Sequence, residues 1–213
     1  MSGRGEPDAD AAWRGLSPTT LADCLPRRQI MDPAVLPLWP QIVRIAGPAY
    51  TVRCAPGDNL MLHAAIYRAA AGSVIVVQGG DLEYALAGGN VCAVAQKRGV
   101  RGFVLDGALR DVAEVRASGF PVFAKAVIPK PGAKEAIGSL NEPVTCGGVR
   151  VEPGDIVVGD EEGIVVVPLA ERDAVLAAAL RRQAGDAAQS LNDWEKDHRR
   201  RIEAALAAKG FRD

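Results

Sequence analysis

Histidine is nearly absent from this 213-residue chain, which has two, and its four cysteines (Cys24, Cys54, Cys92 and Cys146) lie 30, 38 and 54 positions apart with no C-x-x-C pair. That spacing excludes a zinc-finger pattern and speaks against a disulfide scaffold, so buried thiols are expected. Three common motifs are missing: the G-x-G-x-x-G dinucleotide fingerprint, the G-x-x-x-x-G-K-[ST] phosphate loop and the G-x-S-x-G nucleophile elbow. Neither sign of charge predominates, since 25 Lys and Arg stand against 26 Asp and Glu for a net charge of -1. Without a basic field, neither nucleic acid nor an anionic membrane is an expected partner. No run approaches the ~20 apolar residues needed to span a bilayer. The opening "MSGRGEPDADAAWRGLSP" carries acidic residues and no apolar core, unlike a secretory signal. A cytoplasmic protein is the expectation.

What is present is apolar material, 48% of the residues, enough for one sizeable core. Residues 1–15 read as a poorly ordered N-terminus, 16–168 as an α/β domain and 169–213 as a helical arm. Ser17 caps a helix with Pro18 at its first position. "QIVRIAGPAYTVRC" reads as two strands around a Gly-Pro break, and "DNLMLHAAIYRAAAG" as a helix closed by Gly72. "SVIVVQ", the helix "VCAVAQKRG" and "RGFVLDG" follow as strand, helix, strand, which implies parallel pairing by a crossover. Short strands with a Gly147-Gly148 hairpin come next. From Leu169 onward an Ala- and Arg-rich helical tail, broken near Gly185, is too polar on one face to be core and suits a neighbouring subunit.

Two segments can carry chemistry. In "LAGGNVCAVAQKRG" the glycine pair precedes a helix, whose uncovered N–H groups and positive dipole end favour an anion. Gly88 to Val91 therefore read either as a carboxylate cradle or as a plain tight turn. In "FVLDGALRD" the strand delivers Asp106 to a sheet edge and Gly107 turns the backbone. Arg110 offers a planar fork to a carboxylate or keto oxygen, and Asp111 offers an oxygen ligand to a hard cation such as Mg2+. The same residues also suit a solvated pair with Asp111 capping the next helix. Asn59 can cap its helix or reach the same anion, and His63 reads as a packed residue. "GDEEG" at 159–163 reads as a turn with its carboxylates facing water. Lys125 and Lys130 raise amine catalysis, which needs a desolvated lysine, but nothing near them in the sequence supports it.

Taken in order, "PGDNLMLHAAI", "GSVIVVQGG", "ALAGGNVCAVAQKRGVRGFVLDGALRD", "GFPVFAKAVIPKP" and "VEPGDIVVGDEEGIVVVP" resemble the RraA-like family of 4-hydroxy-4-methyl-2-oxoglutarate and 4-carboxy-4-hydroxy-2-oxoadipate aldolases and RraA regulators of ribonuclease E. The resemblance implies a swivelling β/β/α fold in homotrimers or homohexamers. It implies a pyruvate-type 2-oxo acid bound by Gly88, Gly89, Asn90, Val91 and Arg110, with Asp111 holding Mg2+ or Mn2+, and oxaloacetate decarboxylation as a side activity. A neighbouring subunit's glutamate in an A-G-E context becomes Asp186 in this chain's "AGD". Some aldolases carry an acidic residue in the glycine loop where this chain has Gly89. The alternative is a non-catalytic RraA-type regulator that binds a ribonuclease or helicase.

Overall fold

The computed structural model describes residues 11–211, so the expectation for residues 1–10 lies outside it. The chain opens with α1 (Ala11–Arg14) and α2 (Pro18–Ala22) and continues through the strands β1 (Leu36–Pro37) and β2 (Ile45–Arg53) to α3 (Leu60–Ala65). Next come β3 (Val74–Gln78), β4 (Ala85–Ala87), α4 (Gly89–Lys97), β5 (Gly102–Leu109), α5 (Val112–Ser118) and β6 (Val122–Val127). The short strands β7 (Ser139–Leu140), β8 (Val144–Cys146) and β9 (Val149–Val151) precede the hairpin β10 (Ile156–Asp160) and β11 (Gly163–Val167). Two helices, α6 (Arg172–Ala188) and α7 (Leu191–Ala208), close the chain.

The main sheet runs β1-β6-β5-β3-β2-β10-β11, and its four middle members β6, β5, β3 and β2 are parallel. Parallel strands covered on both faces read as unbroken apolar runs, and Val74 to Val77 are all fully buried. The sheet curls strongly: a Cβ on Gly159 in β10 would come 3.3 Å from Cζ of Phe123 in β6. The mixed α/β class with C-terminal helices is the one expected from the sequence, and the near-barrel curl of the sheet is what the structure adds.

Along β10 and β11 the side chains alternate between two cores, as the period of two requires. Val157, Ile164 and Val166 join the main core, while Ile156, Val158, Val165 and Val167 meet an outer cluster with Trp13, Leu16, Leu21, Val175 and Ala179. Trp13 is 2% exposed, so this side chain is packed, while Ala11, Ala12 and Gly15 around it are exposed. An indole and Leu16 together cover the outer face of the hairpin. Ser17 accepts a hydrogen bond from the Thr20 N–H at 3.1 Å and Pro18 takes the first position of α2.

Three local expectations need correction. β2 is one strand, not two, because Gly47-Pro48 lies where it changes partner: residues 45–48 pair with β10 and 49–53 with β3. A Cβ on Gly47 would overlap the Gly72 carbonyl. Helix α3 stops at Ala65, short of Gly72, and irregular turns continue to bury Ile66 and Ala69. The helical tail breaks at Gln189-Ser190 rather than Gly185, where the Ser190 hydroxyl accepts from the Asp193 N–H at 3.2 Å. Among the described residues no helix is long and apolar enough to cross a membrane.

Candidate active site

Strand β5 does not end at Asp106. It runs on to Leu109, with a register irregularity against β6 between Leu105 and Ala108. Asp106 is held inside the sheet, its Oδ1 2.6 Å from Lys125 Nζ and its Oδ2 accepting from the Gly147 N–H at 2.9 Å. A Cβ on Gly107 would overlap Leu86, so this glycine admits a neighbouring side chain, not a ligand. The extension lets β4 pair alongside, Ala85 with Ala108 and Ala87 with Leu109. The Arg110 N–H then donates to the Ala87 carbonyl at 3.1 Å. Gly88 and Gly89 are thereby fixed beside Arg110 and Asp111.

Asp111 occupies the N-cap position of α5 with φ 57°, a left-handed conformation, and makes no side-chain cap bond. Such a backbone costs a non-glycine residue about 1–2 kcal/mol. What the strain achieves is direction: Oδ2 accepts from the Gly89 N–H at 3.0 Å, across at the start of α4, and lies 3.5 Å from Arg110 Nε. The sequence left open whether Asp111 caps the following helix; it reaches the preceding one instead. Gly88 has extended backbone at φ −152°, yet a Cβ there would overlap Asp111 Oδ2 and crowd Arg110. Gly89 is bare for a related reason, since its Cβ would overlap the Glu114 carboxylate. Glu114 thus stands where an acidic residue in the loop would reach. Its spacing of three from Asp111 was a signal that sequence reasoning passed over.

These groups open onto a small cleft lined by Gly88, Asn90, Val91, Arg110 and Asp111 on one wall and Asn59, His63 and Lys134 on the other. The N–H groups of Asn90 and Val91 belong to the first turn of α4, where no intrahelical acceptor exists. With Arg110 and Lys134 they make the cleft suited to an anion. Asp186 is not among its lining residues; it lies exposed on α6, 3.8 Å from Arg182 Nε.

The second wall is tied down by Asp58. Burial pushes its carboxyl up, but hydrogen bonds from the Glu135, Leu60 and Ala136 N–H groups at 2.6, 2.7 and 3.0 Å, with Lys134 nearby, outweigh this and hold it below the ordinary value. The Asn59 N–H donates to Ala133 O at 2.9 Å, so the loop carrying Lys134 is bound to the entrance of α3. No sequence motif announced Lys134. His63, read from the sequence as a packed residue, is half-buried and faces the cleft with Lys134. Its pKa is lowered, first by burial and then by Lys134 and Arg110, against smaller opposing effects of Asp58 and a hydrogen bond with the Leu86 backbone.

Other candidates lie elsewhere. Lys125 is paired with Asp106, and Lys130 Nζ sits 4.0 Å from the centre of the Tyr84 ring. All three carboxylates of the 159–163 turn were expected to face water; Glu161 and Glu162 are exposed, but Asp160 is buried and lies 2.9 Å from Arg44 NH2, an ion pair with a residue distant in sequence. Cys92, beneath the glycine loop, is pushed up to about 12 by burial and by the Asp111 and Glu114 carboxylates. Among the described residues no group of three or more His, Cys, Asp or Glu converges on one point.

The sequence model of the RraA-like family, described as Aldolase/RraA, matches residues 18–166. The chain belongs to the RraA-like family. Among its relatives, a Halalkalibacterium halodurans protein named as a candidate 4-hydroxy-4-methyl-2-oxoglutarate aldolase is 37% identical over 187 residues, 87% of this chain and 89% of its own. The 4-hydroxy-4-methyl-2-oxoglutarate aldolase of Thermus thermophilus is 35% identical over 151 residues, 70% of this chain and 91% of its own. Among solved structures, the RNA-processing inhibitor RraA from Thermus superposes with a TM-score of 0.65 at 33% identity, covering 71% of this chain and 92% of that one. Streptomyces coelicolor RraAS2, an unusual member of the RNase ES inhibitor family, reaches 0.73 at 26% identity over 92% of this RraA-like chain and all of its own.

Proposed function

We propose that this protein is a divalent-metal-dependent lyase that cleaves 4-hydroxy-2-oxo acids of the 4-hydroxy-4-methyl-2-oxoglutarate type to pyruvate and a second carbonyl compound. The observation that carries this reading is the strained backbone at Asp111, which turns a carboxylate and the adjacent Arg110 onto the open amides of α4. The relatives named as aldolases point the same way.

The residues fit a Mg2+ or Mn2+ ion. Asp111 is a half-exposed carboxylate at the cleft, and bare Gly88 leaves no Cβ against it. Mg2+ is commonly bound by one or two protein carboxylates plus waters and substrate. Asp111 would hold it, with Glu114 able to bind its waters. When bound, the cation supplies Lewis-acid polarisation of the 2-oxo group. Arg110 donates to the oxygen on which negative charge builds as the enolate forms. The N–H groups of Asn90 and Val91 take the adjacent carboxylate, and Gly88 and Gly89 leave room for the Asp111 and Glu114 side chains beside it. Lys134 suits a second carboxylate at the far end of a dicarboxylic substrate, with Asn59 beside it. Because loss of carbon dioxide from oxaloacetate gives the same enolate, that decarboxylation is expected as a side activity.

The arm supports a homo-oligomer, trimer or hexamer: Leu180, Trp194 and Ile202 are exposed along α6 and α7, and no residue of α7 is buried. Packed on a neighbour, α6 would present Asp186 to that neighbour's cleft in the glutamate's role.

The test is pyruvate release from 4-hydroxy-4-methyl-2-oxoglutarate and from oxaloacetate, with Mg2+, with EDTA, and with Arg110→Ala. The expected result is release that EDTA abolishes and the substitution reduces by roughly 10²–10³-fold. Release indifferent to both would reject the reading. The likeness to RraA structures favours a second reading, a non-catalytic regulator of a ribonuclease or helicase. Stable co-purification with a ribonuclease, without lyase activity, would select it.

A further inference from the structure

On the wall opposite Arg110, Asn59 and His63 lie four residues apart at the start of α3, and both line the cleft. Asn59 is 4% exposed, and its side-chain amide donates to the Ala85 carbonyl at 3.2 Å. A carbonyl can accept only from the NH2 end, which fixes the orientation of the amide. The other end, Oδ1, is buried with no hydrogen-bond partner. An unsatisfied buried acceptor costs about 1–3 kcal/mol, so Oδ1 calls for a donor hydrogen from whatever fills the cleft. Arg110 and the α4 amides already answer the carboxylate and keto oxygens of a 2-oxo acid. The group left for the Asn59 wall is a hydroxyl.

We infer that His63 is the general base that takes this hydroxyl proton, with Asn59 Oδ1 receiving the same hydrogen when the substrate first binds. The inference rests on the lyase reading above. A hydroxyl between two acceptors can turn its hydrogen from one to the other. His63 is suited to the second role because it is half-buried at the cleft beside Lys134, and a neutral imidazole keeps one ring nitrogen free to accept a proton. Burial, Lys134 and Arg110 favour that neutral form, while Asp58 and the Leu86 backbone oppose it less strongly.

The step balances. His63 takes the proton from the C4 hydroxyl, and the O–H electron pair becomes the second bond of the departing carbonyl. The C3–C4 pair stays on C3 as the pyruvate enolate. The imidazolium then gives its proton to solvent, and C3 takes one from water. Oxaloacetate decarboxylation has no hydroxyl to deprotonate, so it reaches the same enolate without His63.

That difference defines the experiment: both reactions are measured on the full-length oligomer with Mg2+, for wild type and His63→Gln, across pH 5 to 9. The inference expects the variant to lose roughly 10²–10⁴-fold in kcat on 4-hydroxy-4-methyl-2-oxoglutarate. Oxaloacetate decarboxylation should stay within about threefold. Wild-type cleavage should fall on the acid side of a pKa below 6.5, and in the variant this limb should vanish. Equal loss of both reactions, no loss of either, or an acid limb that persists would overturn the inference while leaving the lyase reading standing. Wild-type protein inactive on both compounds would overturn the lyase reading and this inference with it.

A measurement without substitution at residue 63 covers a variant that fails to fold. The chain has two histidines, and His198 lies on α7 with its ring stacked on Trp194. In His198→Gln protein, the one remaining imidazole C2–H resonance reports His63. Its midpoint must match the acid limb of wild-type cleavage, and a mismatch above about one pH unit would overturn the inference.

Discussion

Replacing Gly88 with alanine adds one methyl group to a residue whose backbone, at φ −152°, any amino acid can adopt. No backbone strain follows, so the consequence must come from what the methyl meets. It would overlap Asp111 Oδ2 and stand 2.9 Å from Arg110 Cγ and 3.0 Å from Arg110 Nε. The Arg110 side chain is long and 41% exposed, and it can move aside at little cost. Asp111 is short and carries a left-handed backbone; its carboxylate yields only by giving up the Gly89 N–H. The stability cost is that of one charge-assisted hydrogen bond, about 1.5–3 kcal/mol. For a chain of this size each kcal/mol shifts Tm by about 2–4 °C, so the fold should survive with a Tm lowered by roughly 3–12 °C. Activity should suffer more, because both displaced groups belong to the proposed machinery and misplacement by ~1 Å can cost about 10² in rate. The assay pairs thermal unfolding with Mg2+-dependent pyruvate release from oxaloacetate. A folded Gly88→Ala protein with activity within threefold of wild type would refute the placement of the site.

Elsewhere, Asp58→Asn should lower stability by at least about 1.5–3 kcal/mol, because Leu60 donates to one carboxylate oxygen and Glu135 and Ala136 to the other, and an amide has a single acceptor oxygen, so at least one charge-assisted bond is lost; urea unfolding at pH 7 checks this. Because the folded-state pKa of Asp58 is depressed below 3.8, its contribution is present above that pH and lost as pH falls through the folded value. The gap between wild type and variant should therefore narrow in acid unfolding. Trp13→Ala should cost about 3–5 kcal/mol, read as a fall in Tm, since the indole is buried between the β10–β11 hairpin and the helices. In native protein, a thiol reagent at pH 8 should modify Cys24 alone, because Cys54 and Cys92 are buried and pushed up to about 11 and 12 and Cys146 is raised further by full burial.

Much of the fold was legible because its signals are local. The buried parallel strands announce themselves as apolar runs, Ser17 and Pro18 mark a helix start, and Gly147-Gly148, with φ 53° and 72°, fit a two-residue hairpin. Gly88 to Val91, Arg110 and Asp111 were named from sequence; the structure brings Gly88, Asn90, Val91, Arg110 and Asp111 to one cleft with Asn59, and Gly89 lies buried behind it with its N–H on Asp111. What was not legible depends on partners distant in sequence. The continuity of β2 through Pro48 follows from a change of neighbouring strand. The role of Asp106 follows from Lys125 and Gly147, and Lys134 reaches the cleft because Asp58 binds its loop. His63 reads as a packed residue because a lone histidine on a helix has no local meaning, and its place at the cleft depends on Lys134 and Arg110, which are distant in sequence.

Where a 2-oxo acid mimic binds decides whether Asp111 and Arg110 form the site. A crystal structure of the protein soaked with Mg2+ and oxalate measures this directly. It should show the cation on Asp111, with oxalate held by Arg110 and the N–H groups of Asn90 and Val91. An empty cleft under saturating oxalate, or a cation bound away from Asp111, would contradict it.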